Sequence, residues 1–531
     1  MKRLVAILLA CVMLAAVTAC GSRAPDINNG GTAMTNNNND AAAPANDAGE
    51  LPFVTINYLV TGDMPNDKTM TEGLPALNEL LRERVNAELT VRWFGWTDLV
   101  SNINLALASQ SGDLDLVATA TNWLDAWSNI QRGAFYAMDE EFIAANAPLT
   151  YAQVPAAHWE ECKFEGSIYM FPEDNFSQWV NHGWTYRGDW AGEAGLNSGV
   201  QSWDDLTVYM QYVKDNKPGV TPWSVNGGMD DVNNVFKGWI TSYSPHISID
   251  GMRVDLFYAE SAENPYRLSR YILEDDGLID FARNQMDWDN RGFWVEDVLN
   301  NSSAQQYEDM LGGTNSVIRQ HTNGFRDNAK RIENEQPGSD LQFYWFGQEN
   351  NNLVGMPILH GAMAIAATSN NPDRAAQVYD LIRNEEPFYR IIRNGFEGEQ
   401  FILREDGRTY DRPAGFNMDT DTIYFNWWWG RNDDLELISS MESTEKYNVL
   451  KEAYNRVAIP FPYGRIVFSH DPINTELDNL SNVWATYAPR LVFGKFTDPE
   501  AFVAEFRQQL IAAGYERAME EVERQLIAVY G

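Results

Sequence analysis

Phe53-Val54-Thr55-Ile56-Asn57-Tyr58-Leu59-Val60 is rich in β-branched and aromatic residues, as a strand should be. Behind it, Leu74, Leu77, Leu80, Leu81 and Val85 recur at helical spacing, with Pro75 suited to a first turn. Thr90-Val91-Arg92-Trp93-Phe94 reads as a second strand, Leu99, Ile103 and Leu107 mark a second helix, and Leu114 to Thr119 form a third strand. This β-α-β-α-β order decides the fold class: α/β, with a parallel sheet covered by helices. The remaining body of about 480 residues is too long for one ordinary domain, so two or more lobes are expected.

Towards the N-terminus the character changes. Lys2 and Arg3 are basic, Leu4 to Val17 is an unbroken apolar run, and Val17-Thr18-Ala19-Cys20 sets small residues ahead of a cysteine. Residues 1–19 therefore read as a secretory signal, since a transmembrane helix needs about 18 or more apolar residues. The run resembles the lipobox of bacterial lipoproteins, which makes Cys20 the expected lipid attachment site. An ordinary signal peptide that happens to hold a cysteine is the alternative. Gly21 to Glu50, with Asn36-Asn37-Asn38-Asn39, has almost no large apolar side chains to offset the entropy of ordering it. Residues 20–50 are thus expected to form a lipidated flexible stalk, holding the body at the extracellular face of the cell membrane.

The composition narrows the function classes. The formal net charge is −36, from 75 acidic against 39 basic residues, so nucleic acid and anionic lipid surfaces drop out as partners. Cys11 leaves with the signal and Cys20 is lipidated, so Cys162 remains alone, without an intramolecular disulfide partner. Glu160 and Glu161 beside it would raise its thiol pKa, which argues for a structural cysteine. Six histidines without metal-like spacing predict no metal site, and no cofactor is expected. Asp287-Trp288-Asp289-Asn290-Arg291-Gly292 begins like a calcium loop, but Arg at position five and Val298 at position twelve break the pattern. There is no Gly-x-Ser-x-Gly, no His-Glu-x-x-His and no phosphate-binding glycine loop.

Further along, Ser202 reads as a helix cap, and Asn371-Pro372-Asp373 opens a helix running to about Arg383. Asp498-Pro499 starts another that Gly514 ends, and Tyr515 to Tyr530 forms a last one. Residues 226–345 are rich in Asn, Asp and Gly and give no clear pattern. Between these landmarks lie Gly112-Asp113-Leu114-Asp115-Leu116, Glu165-Gly166-Ser167-Ile168-Tyr169-Met170-Phe171-Pro172, Tyr186-Arg187-Gly188-Asp189-Trp190, Gly361-Ala362-Met363-Ala364-Ile365 and Gly395-Phe396-Glu397-Gly398. In order and spacing these resemble the extracellular solute-binding proteins of family 1 that serve ABC importers. The C-terminal part, from Phe468 to Gln525-Leu526, is similar to a Gram-positive lipoprotein subgroup for complex sugars.

The resemblance implies a two-lobed periplasmic-binding-protein-like fold, each lobe a doubly wound sheet with helices, with the ligand cleft between lobes. Lobe 1 would take residues 51–173 and 340–405, and lobe 2 residues 174–339 and 406–531. Crossings are expected near Glu173 to Ser177, near 335–350 and near 400–410. Hinge closure on a solute would be read by the membrane permease. The implied protein is a monomeric, non-enzymatic receptor that touches the membrane through its lipid alone. An exported glycoside hydrolase, or a peptide receptor of the same fold, stands as the alternative.

Sugar rings present flat C–H faces rimmed by hydroxyls, so aromatic rings beside amides and carboxylates suit them. On that basis the candidate ligand-binding residues are Trp96, Asn122, Trp123, Asp174, Asn175, Trp179, Trp184, Trp345, Glu397, Trp427 and Trp428. Asn426-Trp427-Trp428-Trp429 is the densest aromatic run, and three consecutive tryptophans cannot all face one core. Trp93, Trp190, Trp203 and Trp484 read as core.

Overall fold

The computed structural model describes residues 51–96, 99–109, 112–121, 123–174, 181–301 and 304–531. The signal, Cys20 and the stalk lie outside these described residues. Among them, no helix is long and apolar enough to cross a membrane.

Two main sheets are built from β1 (Val54–Thr61), β2 (Ala87–Phe94), β3 (Leu116–Thr119), β4 (Met170–Pro172), β5 (His182–Arg187), β6 (Val317–His321), β7 (Leu341–Trp345) and β8 (Ala362–Ile365). The opening alternation folds as its pattern demands. β1 and β2 run parallel, with Val54 opposite Ala87 and Thr61 opposite Phe94. The helix between them, Leu74–Val85, carries Pro75 in its first turn and buries Leu77 and Leu81. β3 joins β1 in parallel, and all four of its residues are buried, which is why it reads as a plain apolar run. β8 returns antiparallel between β3 and β4, giving the order β2-β1-β3-β8-β4. Cys162 is buried in this lobe; burial pushes its thiol pKa up, and the Asp174 and Glu161 charges add to the effect.

The second lobe departs from the doubly wound sheet the resemblance implied. Its sheet is three-stranded, β6-β5-β7, and antiparallel throughout. The chain leaves β5 at Arg187 for a long helical excursion and returns at the same end of the strand, with Val317 of β6 opposite Tyr186. That excursion includes much of the stretch that resisted reading. The helix Met229–Tyr243 buries Val232, Val235, Phe236, Trp239 and Ile240, an i, i+3, i+4, i+7, i+8 stripe set among Asn and Asp. Asp287 to Arg291 lie in the last turns of the helix Gly277–Arg291, with Asp287 paired to Arg291 at 2.6 Å, so this stretch is not a loop. The C-terminal helices Asn474–Val492, Pro499–Ala512 and Tyr515–Tyr530 pack on the same core. The Asp498 carboxylate accepts from the Ala501 amide at 2.9 Å, the cap its sequence context announced.

The lobe boundaries shift for a packing reason. β7 pairs with β5, so residues 341–345 belong to lobe 2 rather than lobe 1, and that crossing moves to about 346–361. Ile423, Phe425, Trp427 and Trp429 lie in the lobe 1 core rather than lobe 2. The return crossing therefore follows Glu436, ahead of the helix Thr444–Val457, instead of lying at 400–410.

Candidate functional site

A cleft of about 760 Å³ separates the two lobes. Lobe 1 supplies the chain just beyond its parallel strands, where open α/β sheets place ligands. Asp63 follows β1, Trp96 follows β2 and Trp123 follows β3, and all three line the cleft. Trp123 is the centre of an aromatic wall. Its ring lies 6.3 Å from that of Trp96 and 5.4 Å from that of Trp429, both nearly parallel to it. The Trp123 indole donates to the His360 carbonyl at 3.0 Å, and the Trp96 indole to Asp63 Oδ1 at 2.8 Å. Trp96 stays 57% exposed and offers its ring to solvent. Beside the stack, Trp428 lies within 5.3 Å of the Arg393 guanidinium and 5.6 Å of that of Arg431. Asn426 takes a left-handed backbone, with φ 51°, that lets its amide donate to the Asp63 carbonyl at 2.7 Å.

The facing wall, from lobe 2, is polar. Asn181 and His182 stand at the start of β5, Gln320 and His321 at the end of β6, and Asn323, Asp327 and Asn328 on the helix Thr322–Glu335. Helix Met229–Tyr243 adds Asp230, Asn234 and Lys237. Charges here are largely matched. Arg319 ion-pairs with Asp230 and with Asp231, the latter at 2.6 Å, and donates to His182 Nδ1 at 2.7 Å. Asp327 lies 2.7 Å from Arg326, and Lys237 3.6 Å from Asp255. Burial, then Arg319, pushes the His182 pKa well down, and burial brings His321 and His360 to about 4. The three imidazoles are therefore neutral at pH 7. Burial likewise pushes the Glu173 carboxyl well up, against the pull of Arg431 and Arg383. An aromatic shelf opposite amides, hydroxyls and paired charges is suited to a neutral polyol, with stacking on one side and hydrogen bonds on the other.

Of the residues singled out from sequence, Trp96, Trp123 and Trp428 line this cleft. Asn122, Asn175 and Trp179 lie outside the described residues. Asp174 is not in the cleft wall; its carboxylate sits 2.6 Å from His158 Nδ1. Trp184 is buried in the lobe 2 core, 4.7 Å from Trp223, and Trp345 packs edge-on against Tyr454. Glu397 is exposed on a turn away from the cleft. Trp427 is buried against Tyr58 and Tyr379 and donates to the Gly430 carbonyl. The Trp427–Trp429 run does not divide as expected: Trp427 and Trp429 are buried in the lobe 1 core with Trp428 packed against it, and Trp428 and Trp429 border the cleft. Trp190, Trp203 and Trp484 are buried as expected, and Trp93 is half-buried against Phe425. Asp63, Glu173, Asn323 and His360 went unread; for Asp63 its place directly after the first strand was a usable signal.

Comparison with known proteins agrees with this geometry. Residues 462–529 match a family described as a domain of unknown function, DUF3502. The chain is 21% identical to a carbohydrate ABC transporter substrate-binding protein of Streptococcus pneumoniae serotype 4, over 97% of this chain and 95% of that protein. The crystal structure of the N-glycan transport solute binding protein NgtS from Streptococcus pneumoniae matches with a TM-score of 0.68 at 16% identity, covering 89% of this chain and 98% of that one. The same protein in complex with Man5GlcNAc matches at 0.64 and 17% identity, over 89% and 97% of the two chains. The chain therefore carries the two-lobed α/β fold of the extracellular solute-binding proteins, with the cleft between lobes as its candidate site.

Proposed function

We propose that this protein is the substrate-binding lipoprotein of an ABC importer, capturing an oligosaccharide outside the cell and delivering it to a membrane permease. The observation that carries this reading is the opposition of the Trp96–Trp123–Trp429 wall to the amide-rich wall of lobe 2. The cleft volume falls within the roughly 300–1,000 Å³ of small-molecule sites. The sugar named in the neighbouring structure, Man5GlcNAc, makes mannose-containing N-glycan fragments the first ligands to try. Trp96, Trp123 and Trp428 would carry ring faces, with Trp429 buried behind Trp123.

The test is a thermal-shift series against neutral oligosaccharides and peptides, followed by prolonged incubation with any sugar that binds. A ligand bound only by the native state raises the melting temperature, by about 2.7 kcal/mol of stability at a hundredfold excess over Kd. Stabilisation by an oligosaccharide with no cleavage products is expected. Turnover would make the protein a glycoside hydrolase, and a shift with peptides alone would make it a peptide receptor.

Lipid on Cys20 would keep the receptor beside its permease and so raise their effective concentration. Cys20→Ser is expected to release a protein that binds sugar as before but supports import poorly. Loss of sugar binding in that variant would contradict a tether separate from the receptor body.

A further inference from the structure

Two buried polar side chains in the cleft wall lack partners among the described residues. Asn323 is 1% exposed, and neither its Oδ1 nor its Nδ2 is hydrogen-bonded. Its place is fixed by the first turn of the helix Thr322–Glu335. There His321 Nδ1 accepts from the Gly324 amide at 3.0 Å, and the Thr322 hydroxyl reaches Asn181 Oδ1 at 2.8 Å and the Tyr454 hydroxyl at 2.9 Å. Across the cleft, Glu173 is 5% exposed and its Oε1 is likewise unpartnered. Its amide donates to the Gly361 carbonyl at 3.0 Å. Its other carboxyl oxygen lies where a Cβ on residue 361 would be, 2.1 Å from that position, so only glycine there admits the side chain.

Buried polar atoms in native proteins are nearly always paired, and leaving one unpaired is costly. A wall that keeps such atoms unpaired is built for a partner that arrives later. We infer that Asn323 and Glu173 anchor one sugar unit of the bound oligosaccharide from opposite lobes, so that ligand hydroxyls bridge the lobes as they close. An amide offers a donor and an acceptor side by side, which matches adjacent hydroxyls of a pyranose: one accepts from Nδ2–H while the next donates to Oδ1. Burial favours the neutral form of Glu173, and in that form its carboxyl offers the same donor–acceptor pair from the lobe 1 side. This inference rests on the oligosaccharide reading of the cleft and adds to it the residues that read hydroxyls and couple them to closure.

Titration calorimetry of the full chain against a panel of neutral manno-, gluco- and galacto-oligosaccharides tests it, with melting temperatures measured without sugar. Asn323→Ala is expected to weaken binding at least tenfold while leaving the sugar-free melting temperature unchanged or raised, because it removes groups that were unsatisfied. Glu173→Gln keeps a donor and an acceptor and is expected to bind within about threefold of wild type, whereas Glu173→Ala loses at least tenfold. Wild-type affinity in Asn323→Ala, or a lowered sugar-free melting temperature with it, would overturn the inference alone. Failure of the wild type to bind any member of the panel would overturn the oligosaccharide reading, and the inference with it.

Discussion

Trp203→Ala is expected to destabilise the protein by about 3–5 kcal/mol, the range for deleting a large aromatic from a packed core. The Trp203 side chain is fully buried at the start of a helix whose cap, Ser202, accepts from the Asp205 amide at 3.1 Å. Its ring stacks on Phe346 and on Trp288, each at 5.6 Å, and meets Trp239 edge-on at 5.4 Å. The indole also donates to the Ser242 hydroxyl at 3.1 Å. Three segments of lobe 2, the helix Met229–Tyr243, the helix Gly277–Arg291 and the chain just after β7, thus converge on one side chain, and none can move in to fill its space without giving up its own contacts. Trp203→Phe keeps part of the stack and is expected to cost less than half as much. Phe346 lines the cleft, so the alanine variant should also bind sugar more weakly than its stability alone accounts for. Urea denaturation of the purified variants measures the first effect. A loss under about 1 kcal/mol would show that the surrounding rings can collapse inward.

The second large effect concerns Glu436. This largely buried carboxylate, its side chain 12% exposed, ion-pairs with Arg393 at 2.9 Å and Arg431 at 3.1 Å, and accepts from the Tyr389 hydroxyl. Burial by itself would raise its pKa, but the two guanidinium groups outweigh that and hold it at about 2. Removing it leaves two arginines buried beside Trp428 without their counter-charge. Glu436→Ala is therefore expected to cost about 3–5 kcal/mol at pH 7. Because the folded pKa lies below the unfolded value of about 4.3, the carboxylate's contribution is present in full above that value and fades as the pH falls towards 2. The gap in stability between wild type and Glu436→Gln should accordingly shrink between pH 5 and pH 2, from about 3 kcal/mol. Denaturation curves at pH 7, 4 and 2.5 would reveal this. A gap that stayed constant, or widened in acid, would mean that Glu436 is not the ionised partner of these arginines.

What was legible in the sequence was local. The strand at Val54, the helix after Leu74 and the C-terminal helix Tyr515–Tyr530 each follow from residues that are neighbours along the chain, through side-chain period, caps and Pro or Gly punctuation. The helix Met229–Tyr243 carried an equally regular stripe, but Asn and Asp between its apolar residues masked it. The aromatic richness that points to sugars was also visible.

Which ring faces which way was a different kind of question. Trp427 is enclosed within the core by Tyr58 and Tyr379, whereas Trp429, equally buried, borders the cleft where Trp123 stacks on it. Those partners lie some 50 to 370 residues away in sequence, and no periodicity within the run encodes them. The same holds for Asn323 and Glu173, ordinary residues in ordinary segments until two lobes set them across one cleft. The sequence by itself determined an α/β body, its leading sheet and its helical end, since hydrogen-bond period and capping act between neighbours. Only the tertiary structure decided the antiparallel second sheet, the lobe boundaries and the membership of the cleft, since burial depends on contacts between segments far apart in the chain.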